Sequence, residues 1–319
     1  MNEKNVNADE ASTSAERNKR ILILILKILV TASIFFILFS NIGFQETLRK
    51  INSLGIGSAV WILFILTFQQ LVSAMRWGII LNNIGENYEF RKIAQMFLAG
   101  AIASSVLITT LAGLSVRVLL LSRSGTSIKR AIYSLAVEKF FASGTLLICF
   151  VAGMWVLTNL DSATPPESFR FAMLIVMGAL AVIGLGLLLL SRLRFGQTYE
   201  LLDMIRGTLA IPKVFIAVLL LSILIVILGF YSVAIIAIDL NINVSVIALI
   251  AIQPGIAIMS ALPLSLGGWG VREASMVVGL GLLGVGAADA LAISLTYGVL
   301  SILATFVAAG GSLLFRSAP

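Results

Sequence analysis

GIAIMSALPLSLGGWGVR, residues Gly255 to Arg272, aligns without a gap to GAIASSVLITTLAGLSVR, residues Gly100 to Arg117. Gly100/Gly255, Ser105/Ser260, Leu107/Leu262, Leu111/Leu266, Gly113/Gly268, Val116/Val271 and Arg117/Arg272 coincide. An apolar run with a Ser-Leu pair follows each window, Ser134-Leu135 in one case and Ser294-Leu295 in the other. Two apolar, Gly-rich segments can match by chance. The match reads as a duplication, which predicts two related halves. The later window also carries helix breakers, namely Pro254, Pro263 and the run Gly267-Gly268-Trp269-Gly270. Proline removes a backbone donor, and glycine allows tight turns.

The surrounding composition explains why such breaks matter. Of the 319 residues, 59% are apolar and 12% charged, with a mean hydropathy of +1.07. Soluble domains are about 45–50% apolar and about 25% charged, so this chain has too little polar surface to cover itself in water. It reads as an all-α, polytopic membrane protein. The chain has no histidine, which excludes a Ser-His-Asp triad and a His-based zinc site. Cys149 is the single cysteine and cannot form an internal disulfide. The net charge of +7 gathers in short segments between apolar runs. Membrane electrostatics explains that pattern without nucleic acid.

Residues 1–20 are polar and predict a disordered cytoplasmic tail, followed by a single transmembrane domain over 21–316. Apolar runs occur at Ile21–Ser40, Ile56–Met75, Ile93–Val116, Ala131–Leu157, Phe171–Leu190, Val214–Ile238, Val244–Leu266, Ala274–Val285 and Ala287–Phe315. If every run crossed, Arg123, Lys129, Arg130, Arg192 and Arg194 would lie outside, against the positive-inside rule. The conflict disappears if about Ile93 to Ser122 is a re-entrant hairpin from the cytoplasm and about Val244 to Val285 a second one from outside. Arg49 and Lys50 remain as exceptions on the outer side. The expectation is six full spans plus two re-entrant hairpins in an inverted repeat, with pseudo-repeats of about 21–157 and 171–316. Both termini are then cytoplasmic, in the inner cell membrane.

Charges within apolar runs mark function by default. Arg117 and Arg272 are repeat partners, and a planar guanidinium suits a lipid phosphate. Glu138 and Glu273 could orient these arginines or meet a cationic headgroup. Gly267, Gly268, Trp269 and Gly270 would shape the hairpin tip around a headgroup. A purely structural ion pair, such as Arg117 with Glu138, accounts for the same residues. Arg76-Trp77 is expected to be an interfacial anchor at a helix end, as are Trp61 and Trp155. The glycine run does not fit a nucleotide loop, because no P-loop lysine follows it. No metal site, cofactor or catalytic residue is expected.

LPLSLGGWGVREAS, Leu262 to Ser275, resembles the signature of the lysylphosphatidylglycerol synthase transmembrane-region family, a flippase-like membrane domain. Arg76-Trp77, GLSVRVLLLSRSG (Gly113–Gly125) and AIYSLAVEKF (Ala131–Phe140), with its Glu138-Lys139 pair, extend the resemblance. The first hairpin departs from the family's common form, with Ile108 and Ser115-Val116 where a proline and an acidic residue often stand. The resemblance implies movement of phospholipids between leaflets, in the best-known members aminoacylated phosphatidylglycerol. The soluble aminoacyl-transfer domain of fused members has no counterpart here, so lipid synthesis is not expected.

These readings combine into a lipid translocase for an anionic-headgroup phospholipid, with no enzymatic step. Membrane lipids are the expected partners; a lipid-modifying enzyme and a second copy of the chain are compatible with the sequence. The alternative is a non-transporting membrane protein that scaffolds a lipid-modifying or glycosyl-transferring enzyme. An intramembrane enzyme is disfavoured, because Glu138, Glu273 and Asp289 show no paired-carboxylate spacing.

Overall fold

The computed structural model describes residues 25–40, 42, 44–106, 110–159, 207, 210–261 and 269–314. These are helical, with no strand among them. In chain order the helices are α1 (Ile25–Ser40), α2 (Phe44–Asn52), α3 (Ile56–Asn83), α4 (Phe90–Val106) and α5 (Thr110–Arg123). They continue as α6 (Ile128–Asn159), α7 (Pro212–Asp239), α8 (Val246–Ser260), α9 (Val271–Gly281) and α10 (Ala287–Leu314). The tail 1–20, the run Phe171–Leu190 and residues 262–268 lie outside the described residues.

Four helices, α3, α6, α7 and α10, are long and apolar enough to cross a membrane; the bent pair α1–α2 makes a fifth if taken as one span. α3 and α7 have 28 residues each, about 42 Å of helix against a hydrocarbon core of about 30 Å. Large apolar side chains face outward on them, among them Phe64, Phe68, Leu220 and Ile227. That surface is suited to lipid rather than water.

The segments expected to form hairpins contain short helices. α4 and α5 pack side by side, and so do α8 and α9. With 17, 14, 15 and 11 residues, each is shorter than the about 20 residues of a full crossing. Glycine lets α4 and α5 approach: a Cβ at Gly100 would come 2.8 Å from the Gly113 carbonyl oxygen. Pro254, expected to break the second hairpin, instead lies inside α8 without ending it. α8 ends at Ser260, and α9 begins at Val271.

Side-chain clasps fix the direction of each element. At one end, Glu86 accepts from Arg130 (3.0 Å) and from Thr126 Oγ1 (2.8 Å), and Tyr88 bonds Thr126 (2.7 Å). This brings the end of α3, the start of α4, the end of α5 and the start of α6 together. Arg91, Lys92, Arg123, Lys129 and Arg130 lie in the same segments, so this is the basic end. At the opposite end, Gly55 N–H donates to Asp239 Oδ2 at 2.6 Å, joining the start of α3 to the end of α7. Lys50 Nζ pairs with Asp289 Oδ1 at 2.6 Å, placing the start of α10 there too. α10 returns to the basic end, where Gln95 donates to the Ser312 carbonyl at 3.2 Å. Hairpin α4–α5 therefore enters the bundle from the basic end, and α8–α9 from the opposite end.

Candidate functional site

Each hairpin carries one arginine to the interior. Arg117 is the eighth residue of α5, and Arg272 lies in the first turn of α9. Arg117 Nη2 donates to Glu138 Oε2 on α6. Its guanidinium stacks on Trp77 (4.0 Å to the ring centroid) and Phe97 (4.8 Å). Arg76 Nη2 donates to the other oxygen, Glu138 Oε1, at 3.0 Å, and Arg76 Nη1 donates to Ser222 Oγ at 3.1 Å. Glu138 thus binds α3, α5 and α6 into a buried Arg-Glu-Arg triad. Removing three charges from water is tolerable only when each is paired.

Arg272 is held differently. Its Nε and Nη2 donate to Glu273 Oε1 at 3.0 and 2.6 Å, and its guanidinium stacks on Trp269 at 4.4 Å. Glu273 is fully buried; its Oε2 accepts from Gly270 N–H at 2.6 Å and its Oε1 from Ser294 Oγ at 3.3 Å. Gly270 has φ +86°, which only glycine adopts without strain, and it starts α9. Glu273 at the third helical position therefore caps its own helix.

Both arginines face one cavity of about 360 Å³. Lys139, Ser104, Thr305 and Trp269 line it as well, and so does Gln70, which donates to Thr305 Oγ1 at 3.1 Å. Glu138 lies ten residues after the start of α6 at the basic end, and Gly298 eleven after the start of α10 at the opposite end. At 1.5 Å per residue each lies about 15 Å along its helix from that end.

The expected site residues are distributed as follows. Arg117, Arg272, Glu138 and Trp269 come together around the cavity. Glu273 and Gly270 stand behind it, positioning Arg272, with no surface turned to a headgroup. Gly267 and Gly268 lie outside the described residues. The anchor reading of Arg76 and Trp77 is corrected: Arg76 is 6% exposed and Trp77 0%, so neither reaches a headgroup layer. α3 continues seven residues beyond Arg76, about 10 Å, and this burial depth is what the pairing with Glu138 requires. Trp77 Nε1 donates to Ser134 Oγ at 3.2 Å. Trp61 and Trp155, by contrast, are 52% and 69% exposed. Gln70, Ser104 and Thr305 were not singled out from the sequence. Polar residues recurring inside apolar helices were the available signal, and it is shared by many packing residues.

A bundle of apolar helices enclosing a charged cavity defines a multi-pass membrane protein with an internal polar site. The chain belongs to the lysylphosphatidylglycerol synthase TM region family, whose model matches residues 24–309. None of the curated proteins matches it.

Proposed function

We propose that this protein moves phospholipids between the leaflets of a cytoplasmic membrane. The observation that carries the reading is one cavity shared by Arg117 and Arg272, which arrive on short hairpins from opposite ends of the bundle. Inverted repeats with broken helices meeting at mid-depth are a recurrent way of building a transport site. In this reading the hairpins are re-entrant, and two further spans, from the α1–α2 region and Phe171–Leu190, complete six crossings. The positive-inside rule puts the basic end, and both termini, in the cytoplasm.

An anionic headgroup enters beside Arg117 and Arg272 while its acyl chains stay in the bilayer. The arrangement calls for no chemical step, so the protein is read as a translocase and not an enzyme. The family membership supports a lipid-related role. Reconstitution in liposomes with a labelled lipid in one leaflet tests the proposal. Leaflet exchange above protein-free vesicles, reduced in Arg117→Ala and Arg272→Ala, is expected. Exchange equal to empty vesicles, with tight co-purification of a lipid-modifying enzyme, would favour the scaffold reading instead.

A further inference from the structure

Charge around the cavity does not balance. Arg76, Arg117, Lys139 and Arg272 are four cations, and Glu138 and Glu273 are two carboxylates. The tip segment 262–268 is uncharged. Two positive charges at membrane depth thus lack a counter-charge among the described residues, an arrangement too costly to be incidental.

The unsatisfied donors point the same way. Arg117 uses Nη2 on Glu138, and Arg272 uses Nε and Nη2 on Glu273. Each guanidinium leaves Nη1 without a protein partner among the described residues. Arg117 is only 6% exposed, and its Nε is also buried without a partner. Lys139 is exposed on the cavity wall and has no ion-pair partner among the described residues. Donors from α5, α6 and α9 therefore face one space.

We infer that the cavity selects a lipid whose headgroup is a phosphate monoester with two negative charges. This rests on the translocation reading only for how the lipid is used, not for what is bound. A phosphodiester brings one charge and leaves one cation unmatched. An aminoacylated headgroup adds an ammonium and is repelled. A phosphomonoester above its second pKa of about 6 brings two charges and three acceptor oxygens, matching Arg117, Arg272 and Lys139.

Trp77 and Trp269 stack on the two arginines and report occupancy by their emission. In a Trp61→Phe/Trp155→Phe background, the full-length protein in nanodiscs is titrated with phosphatidic acid, phosphatidylglycerol and lysylphosphatidylglycerol. At a pH of about 7.5, phosphatidic acid is expected to bind about tenfold more tightly than phosphatidylglycerol, the scale of one extra charge near a guanidinium. At a pH of about 5 the monoester carries one charge and the preference shrinks to near parity. The chain has no histidine; the groups facing the ligand are Lys139 and the ion pairs of Glu138 and Glu273 with Arg76, Arg117 and Arg272, and the second ionisation of the monoester lies between the two pH values. Lys139→Gln is expected to abolish the preference for phosphatidic acid over phosphatidylglycerol, and Lys139→Arg to restore it.

Equal affinity for the two phospholipids at the higher pH overturns the inference. So does competition by inorganic phosphate at the same concentration as the lipid, which would assign the site to the free anion. A retained preference without leaflet exchange supports the ligand class and removes only the translocation reading.

Discussion

The Arg272 guanidinium lies directly against the backbone of Gly298. A Cβ added at Gly298 would come 2.7 Å from Arg272 Cζ and 2.9 Å from Nη1. Gly298 stands four residues after Ser294, as Glu138 stands four after Ser134. The two halves thus place the same position of the following span against the hairpin arginine. One half fills it with a carboxylate; the other leaves it empty and supplies Glu273 from the hairpin itself.

Gly298→Ala is therefore expected to displace Arg272 from its seat. Overpacking of this kind costs about 1–3 kcal/mol. Thermal unfolding in detergent should fall by a few degrees, and leaflet exchange should drop more than stability does. Gly310→Ala on the same helix, where nothing lies within 4 Å of the added Cβ, is the control and should leave both readouts unchanged.

Removal of the Glu138 charge leaves Arg76 and Arg117 facing each other in a buried site. Glu138→Gln is expected to destabilise the protein by about 3–5 kcal/mol, the usual cost of stranding a buried charge. Glu138→Gln combined with Arg117→Gln should recover part of that loss, as read by thermal unfolding of the purified protein. An additive double variant would show that the triad is not a coupled unit.

Two glycines of α6 should respond in opposite directions. A Cβ at Gly153 would come 3.0 Å from the Ala251 carbonyl carbon of α8, whereas one at Gly144 meets nothing within 4 Å. Gly153→Ala is expected to push α8 away from α6 and lower the unfolding temperature. Gly144→Ala should be neutral or stabilising by up to about 1 kcal/mol, the intrinsic helix preference of alanine over glycine.

Opposed entry of the hairpins predicts labelling from opposite sides. In a Cys149→Ser background, Ser127→Cys reports the basic end and Ser53→Cys the other; both positions are exposed. An impermeant thiol reagent applied to intact cells should modify Cys at 53 and spare it at 127. Labelling of both from one side would rule out the mirrored arrangement.

Much of the architecture could be read from residues alone, because lipid forces the signal: apolar runs, basic connecting segments and glycine breaks all answer to one solvent. Arg117 and Glu138 were legible for the same reason, as charges where charge is expensive. Arg76 and Trp77 were misread because a helix-end motif looks the same whether or not the helix continues. Only the length of α3 shows that Arg76 stops short of the surface. Pro254 misled in the opposite sense, since a proline inside a packed helix need not end it. Gly298 carried no visible signal: its meaning is the absence of a side chain opposite a residue of another helix.

α10 is the most enclosed of the four long helices. It touches α2, α3, α4, α7 and α9 through small side chains such as Ala290, Ala292, Ala304 and Ala308. Buried along one face and open on the other, where Val299, Leu303, Phe306 and Val307 are exposed, this helix acts as the keel of the molecule. Bulky replacements at its buried alanines should therefore loosen several neighbouring helices at once.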